Sequence, residues 1–357
     1  MKIARSTFRS MLALLVVSGL IFGVTSCFKA IQDHAFPSPK KLALQSTVVS
    51  NLKSPIGIVE DTKGYLWITE AGSGTASPAS GQVSVITPSG SIFPVITGFV
   101  SAQSPEGGPE GLNHLALKDG KLYILHGVTD RLYIADVSSF VPGVTAPLSA
   151  SALASEDIGT YVKGEHPNAP DDPDSNPYNL IFGPDGDLYI ADAGANAIIR
   201  RNKDTKALSI YATFPDITTS PKPFSGDVVP TGIVFDGTKF WVTSLTGAPF
   251  HPNIATIYHV TYGGATGVVS SYKTGFTTLT DIELSPDKKP LVTEFGFQAA
   301  GPPILGLVAS GDDPNETLLD LTGSNPVDIL RSNAADTYYI VLTSATDGKV
   351  IKVIATL

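Results

Sequence analysis

The chain has 357 residues, of which 42% are hydrophobic and 16% charged, and its formal net charge is −9. This length and hydrophobic content allow a large core and exclude a mostly disordered chain. The acidic balance disfavours nucleic acid as a partner, because phosphates are bound by basic surfaces.

The N-terminus has the features of an export signal. Lys2, Arg5 and Arg9 form a basic start, and the apolar run 11–24 that follows is shorter than the roughly 20 residues needed to span a bilayer. We therefore expect residues 1–26 to be cleaved off. Cleavage removes three basic and no acidic residues, which brings the net charge from −9 to −12.

The only cysteine, Cys27, lies where cleavage is expected. With residues 24–26 before it, Cys27 resembles the bacterial lipobox, in which the cysteine becomes the lipid-bearing first residue. The alternative is a fortuitous cysteine beside an ordinary cleavage site. The lipobox implies an exported protein held at the cell envelope by acyl chains, with residues 27–42 as a tether. Phe28 stands where many inner-membrane lipoproteins carry aspartate, which favours the outer membrane.

One strand–turn–strand unit recurs six times in the rest of the chain. In the clearest copy, Asp185 and Gly186 separate two apolar runs, a strong hairpin signal because glycine accepts a positive φ. The copies occupy residues 54–70, 112–126, 176–192, 229–244, 279–294 and 325–342. A third strand follows each copy, and a fourth follows four of them. Consecutive copies start roughly 40–65 residues apart, which is typical of propeller blades.

The two ends of the chain complement each other. The last unit stops after its third strand, whereas residues 42–52 form a strand-like stretch before the first unit. If this stretch completes the last blade, the ring closes and leaves no open edge. We therefore predict an all-β fold, a six-bladed β-propeller of four-stranded antiparallel blades over residues 43–357. A long open sandwich is the alternative.

The second unit is irregular. No outer strand is recognisable between residues 137 and 176, and residues 149–161 predict a short helix. A connection of this length is usually functional or flexible.

Polar side chains recur where inner strands begin and where second strands end. In a propeller, both positions lie at the same mouth of the central channel. The long connections 71–80, 137–176, 245–254 and 295–304 open onto the same mouth. The candidate ligand-binding residues are Glu70, His114, His126, Asn179, Asp192, Asp281, Glu294 and Asp328. The alternative is that these side chains cap backbone N–H groups or line a water-filled channel.

Carboxylates this close together would repel each other, so a cation, a basic ligand or water must satisfy them. Glu70, Asp192 and Glu294, on alternate blades, could hold a hard cation such as Ca²⁺. In an enzyme, a divalent ion would be held by Asn179, Asp192, Asp281 and Glu294, with His126 or Glu70 as the base. The sequence contains no G-x-S-x-G, G-x-x-x-x-G-K-[ST] or H-E-x-x-H motif.

Three resemblances to known proteins carry further expectations. The segment GPDGDLYIADAGANAIIR resembles the NHL class of propeller repeats. The segments EAGSG, GQVSVITPSG, GPEGL and DPDSNPYNLIFGPDGDLYIADAGANAIIR resemble the ScyD/ScyE family of scytonemin gene clusters, and DSNPY and ADAGAN are the specific part. With VPTGIVF, LTGAPFHP and YKTGFTTLTDIEL, the similarity covers roughly residues 45–300 and, more weakly, the rest. This resemblance implies an exported propeller and no settled reaction. A more distant similarity to regucalcin and gluconolactonase implies a divalent metal at the channel mouth, although Gly57 replaces the glutamate ligand of their first inner strand.

These observations favour a lipid-anchored, extracytoplasmic and monomeric propeller. It would bind a small molecule, a cation or a protein partner at the loop-rich mouth without chemistry of its own. One alternative is a divalent-metal-dependent hydrolase of the gluconolactonase type. Another is a scaffold in an envelope assembly that exports a pigment or polymer.

Overall fold

The computed structural model describes residues 39–76, 79–104, 107–165, 173–296, 304–334 and 336–356. The predicted export signal, Cys27 and the tether up to residue 38 lie outside the described residues. Six four-stranded antiparallel sheets are arranged as the blades of a propeller, which confirms the predicted fold. A short strand, Leu148–Ser149, adds to the outer edge of the first sheet in parallel.

The blades are numbered here in chain order, and their strands are given from the channel outwards. Blade 1 comprises Pro55–Glu60, Leu66–Glu70, Gly81–Ile86 and Ile92–Phe99. Blade 2 comprises Leu112–Lys118, Lys121–His126, Arg131–Asp136 and Ala154–Asp157. Blade 3 comprises Pro177–Phe182, Leu188–Asp192, Ala197–Arg201 and Leu208–Thr213.

The second half of the ring repeats this pattern. Blade 4 comprises Pro230–Phe235, Lys239–Ser244, Ala255–Thr261 and Val269–Phe276. Blade 5 comprises Leu279–Leu284, Pro290–Glu294, Leu307–Ser310 and Thr317–Asp320. Blade 6 comprises Pro326–Arg331, Thr337–Leu342, Gly348–Thr356 and the N-terminal strand Lys41–Leu52. A small hairpin pairs Ala102–Gln103 with Pro109–Glu110.

The second strands are the most deeply buried part of each blade. Every residue of Leu66–Glu70, Leu188–Asp192 and Pro290–Glu294 is buried, because neighbouring blades cover both faces of these strands. Such strands show continuous rather than alternating hydrophobicity. The predicted hairpin turns are present, with φ of +82° at Gly186, a conformation that glycine adopts without strain.

The ring closes as the sequence predicted. Lys41–Leu52 pairs antiparallel with Gly348–Thr356, from Lys41 opposite Thr356 to Leu52 opposite Gly348. Closure also holds at the axis, where each inner strand contacts the next, including that of blade 6 with that of blade 1. Across this seam the Asp328 Oδ2 accepts a hydrogen bond from the Ile58 N–H at 2.8 Å.

Blade 2 differs from the prediction, because it does have an outer strand. Ala154–Asp157 pairs with Arg131–Asp136. The helical part is divided between a 3₁₀ turn at Ala150–Ala152 and the α-helix Gly159–Glu165. No alternation of apolar and polar residues marks the outer strand in the sequence. It is held by polar contacts instead, including a cross-strand hydrogen bond from Arg131 to Ser155. Its Glu156 forms a salt bridge with the buried Arg201 of blade 3.

No helix in the described part of the chain is long and apolar enough to cross a membrane.

Candidate metal centre

The start of each inner strand has the same local geometry. Its first residue pairs with the last residue of the second strand, and the register shifts before the third or fourth residue. Such a shift bends a strand and re-aims the side chains that follow it. The third residues of the six inner strands are Gly57, His114, Asn179, Gly232, Asp281 and Asp328.

Three of these third residues form one tight cluster. A ring nitrogen of His114 and one carboxylate oxygen each of Asp281 and Asp328 all lie within 4.8 Å of one another. Within the described residues, no other three His, Cys, Asp or Glu side chains approach each other so closely. Asn179 adjoins the cluster, because its Nδ2 donates to Asp281 Oδ1 at 3.0 Å. No more than 8% of any of these four residues is exposed.

The neighbouring backbone fixes the tautomer of His114. The Nδ1 atom lies 3.0 Å from the carbonyl oxygen of Tyr178, so Nδ1 must carry the proton and donate it. The Nε2 atom therefore presents a lone pair to the cluster, 3.5 Å from Asp328 Oδ2. This buried Nε2 has no hydrogen-bond partner among the described residues.

The electrostatics of the cluster favour a bound cation. Burial lowers the pKa of His114 from 6.5 to about 3, so its contact with Asp328 is not an ion pair at neutral pH. Burial raises the pKa of Asp281, and burial together with the charge of Asp281 raises that of Asp328. Within the described residues, no lysine or arginine forms a salt bridge with either carboxylate. Without a cation, at least one proton must be shared between the two carboxyl groups.

The donor set fits a divalent transition metal. An imidazole lone pair and two carboxylates suit Zn²⁺ or Mn²⁺, whereas Ca²⁺ prefers six or more oxygen ligands. A dication would cancel the charge of the two ionised carboxylates. The Tyr178 carbonyl that orients His114 is the kind of support that metal-bound histidines usually have.

Two glycines complete the ring because no side chain fits there. A Cβ atom on Gly57 would lie 2.6 Å from the Cα of His114, and one on Gly232 would lie 2.7 Å from the Cα of Asp281. The blades thus approach each other closely beside two of the cluster residues. The glutamate that the regucalcin resemblance implies in the first blade cannot be accommodated in this packing.

Replacing Gly57 with alanine is expected to destabilise the protein by about 1–3 kcal/mol, because the added methyl group forces two inner strands apart. Denaturant unfolding measures this loss. The control is Gly164→Ala, where the added Cβ meets nothing within 4 Å and the residue lies in the helix Gly159–Glu165. That variant should keep its stability or gain up to about 1 kcal/mol. Wild-type stability of Gly57→Ala would contradict the close approach.

The carboxylates at the ends of the second strands hold local structure instead. Glu70 accepts hydrogen bonds from the Lys53 N–H at 2.9 Å, from Gln82 at 2.7 Å and from Ser84 at 2.7 Å. Glu294 accepts from the Thr277 N–H at 2.7 Å. Neither residue belongs to the three-residue cluster.

Asp192 joins DSNPY and ADAGAN, two parts of the longest segment that resembles the ScyD/ScyE family. Its carboxylate accepts from the Ser175 hydroxyl and the Asn176 N–H, both at 2.7 Å, and from the Ala195 N–H at 3.1 Å. The aspartate thus holds the turn that leads into blade 3 against the loop that follows its second strand. Asp192 also lies outside the cluster.

His126, predicted as a ligand or a base, is fully engaged with backbone. Its Nδ1 accepts from the Thr129 N–H at 3.3 Å, and its Nε2 lies 3.1 Å from the Val100 carbonyl oxygen. Burial lowers its pKa from 6.5 to about 4, so the ring is neutral at physiological pH.

The structure therefore separates the predicted candidates into two groups. Four converge at the axis, namely His114, Asn179, Asp281 and Asp328; four are engaged locally, namely Glu70, His126, Asp192 and Glu294. The predicted metal set combined Asn179 and Asp281 from the first group with Asp192 and Glu294 from the second. It omitted His114 and Asp328, although both were among the predicted ligand-binding residues.

Comparison with solved structures finds propellers of similar fold. Virginiamycin B lyase from Staphylococcus aureus has a TM-score of 0.50 and 16% identity, over 87% of this chain and 99% of that one. Gluconolactonase from Xanthomonas campestris has a TM-score of 0.53 and 11% identity, over 86% and 88%. Aldose sugar dehydrogenase from Streptomyces coelicolor has a TM-score of 0.52 and 13% identity, over 88% and 98%.

No protein-family model and no curated protein matches the chain. The resemblance to the ScyD/ScyE family therefore stays a prediction. At identities of 11–16% the structural neighbours establish no more than the propeller fold. With its six four-stranded blades, the chain is a six-bladed β-propeller.

Proposed function

We propose that this protein is an envelope-anchored propeller that binds one divalent transition-metal ion in its channel, at His114, Asp281 and Asp328. The observation that carries this proposal is the buried Nε2 lone pair of His114, which faces two carboxylates and has no partner among the described residues. A buried polar atom of this kind is costly unless a proton or a metal satisfies it.

The protein would act by binding rather than by catalysis. All four axial side chains are too deeply buried for a sugar-sized substrate to reach them in this conformation, but an ion needs little space. With the ion in place, the inner strands of blades 2, 5 and 6 would be tied together. The loop-rich mouth above would then be a rigid surface for a small-molecule or protein ligand.

Metal analysis of the purified full-length protein tests the proposal. We expect one equivalent of Zn²⁺, Mn²⁺ or a similar ion per chain, and after chelation we expect these ions to rebind more tightly than Ca²⁺. His126→Gln is the control for a buried histidine outside the cluster. Both ring nitrogens of His126 are engaged with backbone, so this variant should still bind one ion per chain. A protein that neither retains nor rebinds an ion would overturn the proposal.

The envelope anchor is tested separately through Cys27. Cys27→Ser is expected to move the protein from the membrane fraction to the soluble fraction, because the acyl chains need the thiol and the amine of the cleaved cysteine. Phe28→Asp should keep the lipid and shift the protein towards the inner membrane. Membrane association that persists in Cys27→Ser would show that another part of the chain holds the protein there.

A second candidate function is a metal-dependent hydrolase, such as a lactonase. The cluster itself supports it, because three protein ligands with a further position left open are typical of catalytic zinc sites. A metal bound at the cluster would supply a Lewis acid, and Asn179 would orient the Asp281 carboxylate. A lactone panel with added Mn²⁺ or Zn²⁺ distinguishes the candidates. Turnover that is lost in Asp281→Asn would favour the hydrolase, and the absence of turnover would favour binding.

A further inference from the structure

Buried side chains form hydrogen bonds that tie each inner strand with a polar third residue to the blade before it. In three cases the second residue of one inner strand donates a hydrogen bond to the first carbonyl of the next inner strand. The bonds run from Asn113 Nδ2 to Pro177 O at 2.9 Å, from Thr231 Oγ1 to Leu279 O at 3.0 Å and from Thr280 Oγ1 to Pro326 O at 3.1 Å. Each carbonyl lies two residues before a residue of the axial group, namely Asn179, Asp281 and Asp328.

His114 receives the same support by another route. Blade 1 has Ile56 at the second position of its inner strand, which cannot donate. Instead Thr69, from the second strand of blade 1, donates to the Asn113 carbonyl at 2.6 Å. That carbonyl immediately precedes His114. The Thr69 hydroxyl in turn accepts from the Gly57 N–H at 2.9 Å, which fixes the direction of the donated bond.

In blade 4, a second threonine is hydrogen-bonded to the donor. The Gly232 N–H donates to Thr243 Oγ1 at 2.8 Å, and the Thr243 and Thr231 hydroxyls are 3.0 Å apart. The Leu279 carbonyl can only accept, so the Thr231 proton is directed at it. The Thr243 hydroxyl is then the donor in its bond with Thr231. Blade 5 has a corresponding pair, with the Thr280 and Thr293 hydroxyls 2.9 Å apart.

These interblade hydrogen bonds occur at the inner strands whose third residue is polar and not at all six inner strands. All four inner strands with a polar third residue receive one. The two strands that carry Gly57 and Gly232 follow blades whose inner strands have Val327 and Tyr178 at the second position. The Val327 side chain has no hydrogen-bond donor. The contact that Tyr178 makes with a neighbouring blade is through its carbonyl, which accepts from His114 of blade 2. The two glycine strands are tied to the preceding blade differently, because the Ile58 and Val229 N–H groups donate to Asp328 and Asn196 and, among the described residues, no side chain donates to the first carbonyl of either strand.

We propose that Thr69, Asn113, Thr231 and Thr280 are positioning residues that set the spacing of the metal-binding side chains through the backbone. This inference rests on the proposed metal site. The four side chains are at most 6% exposed, so water does not compete for their bonds. Each bond fixes the strand immediately before the bend that aims the third residue at the axis.

The affinity for Co²⁺ and its visible absorption spectrum test the inference. Thr280→Val keeps the shape of the side chain and removes the donor to the strand of Asp328. We expect it to weaken binding by about 10-fold, within the 10–100-fold range for residues that orient ligands, and to change the spectrum. Thr280→Ser restores the hydroxyl and should return both to within about threefold of wild type.

Thr256→Val is the matched control. Thr256 is buried in the third strand of blade 4, and its hydroxyl donates to the Ile254 carbonyl at 3.0 Å. This variant should lose stability without a change in cobalt affinity or spectrum. If Thr280→Val behaved like Thr256→Val, or if Thr280→Ser failed to rescue it, the positioning role would be overturned.

A metal-free measurement separates this inference from the metal proposal. The ¹⁵N resonances of the His114 ring, recorded on the chelated protein, report its tautomer and surroundings. Thr69→Val should shift them, whereas Thr69→Ser and Thr256→Val should leave them at the wild-type positions. A wild-type protein that binds no metal would refute the proposed function alone. Unshifted His114 resonances in Thr69→Val would refute the positioning role alone.

Discussion

Asp328→Asn is expected to change metal affinity and metal-free stability in opposite directions. Asparagine keeps the shape and can still accept the Ile58 N–H, but it removes one of the two charges that hold the ion. We expect affinity for Zn²⁺ or Mn²⁺ to fall by more than about 100-fold, because even residues that only orient a ligand contribute about 10–100-fold. In the chelated protein, relief of the buried carboxylate pair should raise stability by about 1 kcal/mol or more.

Calorimetric titration and thermal unfolding with and without chelator measure the two effects. The matched control is Asp192→Asn, a substitution of another buried aspartate. Asp192 accepts three hydrogen bonds from its surroundings, two of them from backbone N–H groups that an amide satisfies less well. This control should lower stability with and without metal and leave affinity unchanged. A loss of metal-free stability in Asp328→Asn would show that the carboxylate serves the seam between blades rather than an ion.

Removing the N-terminal strand is expected to have the largest effect on folding. A chain that begins at Lys53 would lack Lys41–Leu52 and expose the outer edge of Gly348–Thr356. It would lose the burial of Leu42, which is 0% exposed, and of Leu52, which is 2% exposed. Each buried leucine contributes about 2–5 kcal/mol when truncated to alanine, and a bare edge invites aggregation. We expect little soluble protein.

Point variants of the same strand provide a finer measurement. Leu42→Ala should cost about 2–5 kcal/mol in denaturant unfolding. Leu44→Ala, two residues away at a side chain that is 60% exposed, should stay within about 0.5 kcal/mol of wild type. Equal effects of the two substitutions would show that Leu42 is not packed in the core that blades 5 and 6 share.

The fold was predictable because its signals are local and repeated. Asp185 and Gly186 mark one hairpin, and the same turn chemistry marks the others, so six units could be counted without any knowledge of tertiary contacts. The missing fourth strand of the last unit identified the pairing of residues 42–52. The outer strand Ala154–Asp157 escaped detection because its polar residues carry no alternation. Its partners, Arg131 and Arg201, are distant in the chain.

The site was only half predictable, for a physical reason. Inner-strand starts and second-strand ends lie at the same mouth, so sequence alone brings Glu70 and Asp328 to the same region. What separates them is the hydrogen-bond partners of each carboxylate. Glu70 is satisfied by Gln82 and Ser84, which lie on the adjoining third strand, whereas Asp328 has one backbone donor and faces His114. The register shift near the start of each inner strand, between the first and the third or fourth residue, has no clear sequence signature.

The register of the closing strand fixes the side of the propeller at which the chain enters it. Second strands end at the loop-rich mouth, so Gly348 lies at that mouth and Thr356 at the opposite side. Lys41 pairs with Thr356, and the chain therefore enters the propeller on the side of the short hairpin turns. The entry point of the chain therefore lies on the side away from the channel opening that is nearest to His114 and Asp328, so that whatever precedes Lys41 leaves this opening free at the point of entry.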